Sequence, residues 1–154
     1  MGDEAGTVEV TAARARRYLA ELLRLAGADA DAAEAVAAGL VEADLQGAGS
    51  HGMLQAPVYL RRLRAGTISC RGALTAVHTS GAVTVFDAGL ALGHAVARQA
   101  MESAMTSAAR HGLGAAAVRA ATHFGVAGRH ARVAAAAGMI GSVPCNTRPT
   151  PPAP

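Results

Sequence analysis

A chain of 154 residues has room for one ordinary domain, or for two small units that share a core. With 51% apolar residues but only 3% aromatics and no Trp, that core must be built from Ala, Val, Leu and Met. The net charge of +3 is carried entirely by arginine, dispersed along the chain and not interleaved with aromatic residues. This argues against a nucleic-acid surface and points to a coding bias toward Ala, Gly and Arg.

No apolar run approaches the roughly 18 residues of a membrane span. The acidic start MGDEAGTVEV lacks a signal-peptide core, so no membrane association and a cytoplasmic setting are expected. Cys70 and Cys145 fit neither a CxxC site nor a disulfide framework, and two buried thiols are expected.

Residues 12 to 26 predict a helix with Ala15, Leu19, Leu22 and Ala26 on one stripe and Arg14, Arg17, Glu21 and Arg24 on the other, stopped at Gly27. A second helix, capped by Asp29 or Asp31, runs to about Gln46 with Val36, Ala37, Leu40, Val41 and Leu45 inward. Asp44 intrudes near its end, where its carboxylate can accept backbone N–H bonds from the following glycine loop. After that loop Ser50 can cap a third helix through about Arg64, bent or broken near Pro57.

The texture changes between Gly66 and Gly72. Leu74 to His78 and Ala82 to Phe86 read as a hairpin around Thr79-Ser80-Gly81. A long Ala/Met helix from Gly93 to His111 follows, then a buried strand at Gly114 to Arg119, a helix at Gly128 to Ala137 and a strand at Met139 to Val143. The expected fold class is therefore α/β of the α+β kind. Residues 1–70 form an N-terminal helical unit, 71–146 a mixed α/β part, and 147–154 a proline-rich tail expected to be disordered.

The stretch QGAGSHG spells Gly47-x-Gly49-x-x-Gly52, the letters of a dinucleotide fingerprint. Such a fingerprint needs a strand before it and an acidic residue about 20 positions on. Here a helix precedes it, and no Asp or Glu occurs between Asp44 and Asp87. The pyrophosphate assignment fails, and Ser50 with His51 remains at an expected helix N-terminus suited to a substrate carboxylate.

Histidine is the side chain whose ordinary charge change lies nearest neutral pH, so His51 can serve structure or proton transfer. His123, in Thr122-His123-Phe124-Gly125, follows a strand at the edge where α/β folds place ligands. His78, His94, His111 and His130 have weaker claims, and no ligand spacing supports a metal site.

Taken together, Ala43-Asp44-Leu45-Gln46-Gly47, Ser50-His51-Gly52, Pro57, Tyr59, Arg62-Leu63 and Gly66 resemble the type-2 malate/L-lactate dehydrogenase family. The likeness continues through Asp87, Leu92-Gly93, Ala100-Met101, Gly112-Leu113-Gly114, Thr122-His123-Phe124-Gly125, Ala135 to Gly141, and Asn146 with Pro149.

The resemblance implies an oxidoreductase of small 2-hydroxy or 2-keto acids that uses NAD or NADP on a non-Rossmann fold, and a homodimer. It carries proton-transfer or substrate roles to His51 and His123 as a pair, substrate contact to Ser50 and Tyr59, and nucleotide contact to Asn146 and Thr147.

Three departures stand out. Gln55 occupies the place of an arginine that would clamp a carboxylate, and Ala88, Ala91 and His94 replace the usual Gly, Gly and Gln. The chain also ends well short of the family's length, which leaves the nucleotide domain incomplete. The competing expectation is a non-catalytic remnant whose helical unit serves dimer or partner contact.

Overall fold

A computed structural model describes residues 9–146. The proline-rich tail at 147–154, and with it Thr147, lies outside the described residues.

Helix α1 (Ala12–Leu25) starts at Thr11, whose hydroxyl accepts the Arg14 N–H at 3.3 Å. Its buried side is Leu19, Ala20 and Leu23, with Leu22 only half-buried, so the stripe is turned slightly from the expected one. Helix α2 (Ala30–Leu45) is capped by Asp29: one carboxylate oxygen accepts the Ala32 N–H at 2.7 Å and the other the Gly72 N–H at 3.1 Å. One side chain thereby ties the start of α2 to the segment leading into the sheet. Val36, Ala37, Leu40 and Val41 are buried as expected, but Leu45 is 73% exposed because the last turn runs past the core.

The expected helix from Ser50 does not form as one piece. Two single 3-10 turns, Gly49–His51 and Met53–Gln55, precede α3 (Ala56–Arg64). Pro57 sits in the first turn of α3, where its missing N–H costs nothing. Upstream, the Met53 N–H is drawn to the Asp44 carboxylate (2.9 Å) and away from any helical ladder. Ser50 therefore caps no helix.

Strands β1 (Thr75–Ser80) and β2 (Val83–Asp87) form the expected hairpin, turning at Gly81 with φ +53°. Helix α4 (Gly93–His111) keeps its expected bounds and ends at Gly112 in the left-handed region. It carries the chain over to β3 (Ala115–Arg119), which pairs parallel with β2, so the sheet order is β1-β2-β3. Helix α5 (Ala127–Ala136) follows.

β3 is not buried. Ala116 and Val118 are half-covered, while Ala115, Ala117 and Arg119 are exposed, because β3 is the sheet's edge among the described residues. The expected strand at Met139 to Val143 is also missing. An extended segment becomes a strand only by pairing its N–H and C=O groups with a neighbour, and none is offered among the described residues. Ile140 is fully exposed there. Both cysteines are exposed as well, against expectation. They lie in connecting segments that the core does not cover.

The main core joins Leu19 and Leu23 of α1, Val36 and Leu40 of α2, and Tyr59 and Leu63 of α3 to Leu92 and Ala95 at the start of α4. The helical part and the mixed α/β part that follows it thus meet at the N-terminal end of α4. That junction holds four of the six histidines: His51, His94, His123 and His130.

Candidate active site

The glycine stretch is organised by Asp44. Its carboxylate accepts the Met53 N–H and occupies the space where a Cβ on Gly52 would sit. Gly52 is glycine to admit this carboxylate. The stretch does not fit a pyrophosphate, because an anion would meet Asp44 where the fingerprint would need peptide N–H groups. The N–H groups of His51, Gly52, Met53, Gln55 and Ala56 all have acceptors within the loop. Ser50 thus lies in a single 3-10 turn, and the α-helix N-terminus expected there does not form.

The loop instead presents side chains. Ser50 Oγ lies 3.0 Å from His51 Nδ1, which leaves His51 Nε2 for other partners. The Gln55 amide donates to the Ser50 carbonyl at 2.8 Å. Gln55 thus braces the turn that carries His51, a task in which its neutral amide serves well.

His123 comes from the other side. The loop after β3 is zipped to the loop after β2 by Leu90 N–H to Ala120 O (2.7 Å) and Thr122 N–H to Ala91 O (3.1 Å). The Thr122 hydroxyl accepts the Gly93 N–H at 3.0 Å, and Gly93 lies so close to the carbonyls of Thr122 and His123 that no side chain fits there. The start of α4 therefore sets the His123 backbone directly. The two histidine rings end 5.3 Å apart between centroids.

Tyr59 locks the His123 ring. Its hydroxyl lies 2.9 Å from His123 Nδ1 and 3.2 Å from the His123 carbonyl, and the Gly125 N–H approaches the same Nδ1 at 3.3 Å. The tyrosine is buried, and that burial pushes its phenol up despite the nearby Arg62, so it stays protonated.

The hydroxyl can serve either neutral form of the ring. It donates to Nδ1 when the proton is on Nε2, as the Gly125 N–H does. When the proton is on Nδ1 it turns to donate to the carbonyl and accepts from Nδ1–H, and the longer Gly125 contact is given up. In both cases Nε2 faces no protein partner among the described hydrogen bonds. Desolvation, with a smaller push from the charge of His51, holds the His123 pKa below its usual value.

Two further histidines line this junction. His94, on the first turn of α4, is fully buried with both ring nitrogens unpartnered, and its rings contacts are edge-on to Tyr59 and His123. His130 of α5 is buried beside Phe124 and bonds its carbonyl through Nε2 at 2.9 Å. Behind them Glu42 of α2 pairs with Arg129 (2.8 Å) and Arg132 (2.6 Å), pinning α5 to α2.

The sequence assigned His94 and His130 only weak claims. The available signal was a histidine set directly against Leu92-Gly93 and Ala95-Val96, with glycines at 39 and 125, which is legible only once those segments are known to meet.

The expected site residues thus divide. Ser50, His51, Gln55, Tyr59 and His123 come together, whereas exposed Asn146 makes no side-chain hydrogen bond to them. Among the described residues no group of three or more His, Cys, Asp or Glu side chains is arranged to hold a metal ion. No described helix is long and apolar enough to cross a membrane.

The family model of malate/L-lactate dehydrogenase matches residues 10–154. The chain belongs to that family. Its first 146 residues account for nearly all of the match, including the Asp44-to-His51 loop and the His123 loop.

The L-sulfolactate dehydrogenase of Methanocaldococcus jannaschii is 36% identical over 134 residues, covering 87% of this chain and 39% of the relative. The malate dehydrogenase of Pyrococcus abyssi is 32% identical over 86% of this chain and 36% of its own length. Among solved structures, malate dehydrogenase from Pyrococcus horikoshii OT3 superposes with a TM-score of 0.80 at 28% identity, over 88% of this chain and 40% of that one. The chain therefore spans about two fifths of the family members it matches, and the helical part followed by mixed α/β is the family's fold over that span.

Proposed function

We propose that this chain supplies the proton-handling half of an oxidoreductase acting on small 2-hydroxy and 2-keto acids. The observation that carries this is the His51–His123 pair, 5.3 Å apart and held by Ser50 on one side and Tyr59 on the other, in a chain of this family. When bound, the nicotinamide of NAD or NADP supplies or takes the hydride at the carbon bearing the oxygen.

His123 and His51 act on that oxygen. In the reducing direction a protonated ring gives its Nε2 proton to the oxygen as the carbonyl becomes a hydroxyl, and in the oxidising direction the free Nε2 takes it back. Tyr59 keeps the His123 ring aimed through either protonation state. Ser50 holds His51 and lies beside the substrate, and Gln55 fixes the turn. At Gln55 the substrate would meet a neutral amide in place of the charged clamp that an arginine would provide.

Asn146, whose exposed carboxamide can hydrogen-bond a nucleotide, and Thr147 are assigned to cofactor contact. The 1–70 unit then supplies His51, Ser50 and Tyr59, and the 71–146 unit supplies His123 and the cofactor side. A homodimer, a cytoplasmic setting and the absence of nucleic-acid or membrane partners complete this reading.

A second reading has its own observation. Val77 and Val83 on the sheet, Leu113 and Ile140 are exposed, which suits a non-catalytic interaction module. The experiment that separates the two is a titration of the chain with NADH and NADPH, followed by cofactor fluorescence, and then assays with malate, lactate and ureidoglycolate. Saturable binding and turnover support the oxidoreductase. No binding at millimolar cofactor sinks independent activity and favours the interaction module.

A further inference from the structure

His94 has the environment of a component and not of a filler. A polar ring in a dry core normally finds hydrogen-bond partners, yet both of its nitrogens have none among the described residues. Space for it is made by two glycines from different elements. A Cβ at Gly39 in α2, or at Gly125 in the His123 loop, would run into the His94 ring.

The ring has no slack in this slot, and it spends its contacts on two other rings. Its plane lies at 66° to Tyr59 with centroids 5.9 Å apart, and at 70° to His123 with centroids 6.3 Å apart. These are edge-to-face arrangements, in which the positive edge of one ring meets the π face of another.

We propose that His94 is a positioning residue, wedged between Gly39 and Gly125, that holds the His123 ring and the Tyr59 hydroxyl in register with each other. The proposal rests on the reading that His123 carries the proton.

The wedge works because it does not charge. Desolvation first, then the neighbouring His123, Arg129, His130 and His51, lower its pKa to about 3. Its other surroundings are the Tyr59 phenol of α3 and the Gly39 backbone of α2. It therefore presents one fixed shape to His123 across the range in which His123 itself titrates. Without the wedge, the His123 ring and the Tyr59 hydroxyl lose the wall that sets them against each other, and the bond between them loosens.

The test uses the 154-residue chain labelled with 15N and reads the imidazole nitrogens by long-range correlation spectra across a pH titration. Two variants are compared with wild type: His94→Ala, and Gly39→Ala combined with His94→Ala, in which the new methyl refills part of the slot.

In both variants the His123 Nδ1 and Nε2 shifts are expected to converge toward those of a freely exchanging ring. Its titration midpoint should rise toward the ordinary value of about 6.5. The double variant should do so with a melting temperature nearer to wild type, which separates ring placement from loss of packing.

Unchanged His123 shifts and midpoint in either folded variant would overturn the proposal. Loss of the fold in both, seen by circular dichroism, would also overturn it, since His94 would then hold the core and not one ring. Neither readout needs cofactor or turnover, so the result stands whether or not the chain is active alone.

Discussion

The Tyr59 hydroxyl lies 2.9 Å from His123 Nδ1, although 64 residues separate the two in sequence. One comes from the middle of α3 and the other from the loop after β3, so the bond forms only when the helical part closes against the mixed α/β part. Tyr59→Phe keeps the packing and removes the bond. The expected loss is about 1 kcal/mol in urea unfolding, with a change in the His123 tautomer seen in its nitrogen shifts. An unaltered tautomer would show that Gly125 alone orients the ring.

Proton transfer by His123 has a separate consequence. In a catalytically competent preparation, His123→Ala should lower kcat by about 10²- to 10⁴-fold, the usual weight of one general acid–base group, with a much smaller change in KM. Turnover near wild type would move the proton to His51.

Stability should be acid-sensitive in a defined window. His94, His123 and His130 all have pKa values lowered in the fold, each first by desolvation. The unfolded chain therefore binds protons below about pH 6.5 that the folded chain refuses. Their neutral forms stabilise the fold fully above that pH, and the contribution is lost as pH falls, toward about 3 for His94. For His94 the slope is about 1.4 kcal/mol per pH unit between those limits, whereas exposed His123 contributes less because solvent screens it. Urea midpoints measured between pH 7.5 and 5 should fall steadily, and a flat profile would contradict the burial of His94 and His130.

Gly52 and Asp44 should behave as a coupled pair. Gly52→Ala would put a methyl where the Asp44 carboxylate sits, expelling it and leaving the Met53 N–H without its acceptor. A loss of about 1–3 kcal/mol is expected. Adding Asp44→Ala should cost less in that background than in wild type. Simple additivity in the double-mutant cycle would refute the contact.

Glu42 offers a contrasting small effect. Burial alone would raise its pKa, but hydrogen bonds and charge from Arg129 and Arg132 outweigh this and lower it. Since the pair is partly exposed, Glu42→Gln should cost less than about 1 kcal/mol at low salt, and less still at high salt. Thermal melts at two ionic strengths decide it.

Much of the fold was legible from local patterns. Helix α4 ended where Arg-His-Gly said it should, Asp29 capped α2, and the hairpin turned at Gly81, because caps and turns are written in a few adjacent residues. Failure of the dinucleotide fingerprint was also legible, since a helix before it and no acidic residue after it are local facts. The family likeness rested on short motifs in order, and the match over residues 10–154 agrees with it.

What local pattern could not settle was anything that depends on a partner. Met139 to Val143 has strand composition, but a strand exists only by pairing. β3 looked buried by its alanines, yet as an edge it is not. Ser50 looked like a cap until Asp44, nine residues from Met53, took the N–H that a helix would have used.

The sequence by itself determined α1, α2, α4 and the hairpin, the failure of the dinucleotide fingerprint and the family. Only the tertiary structure decided that His51, His94, His123 and Tyr59 share one junction. The physical reason is that periodicity and capping act over a few residues, whereas desolvation and ring contacts arise between segments that meet only once the core has closed.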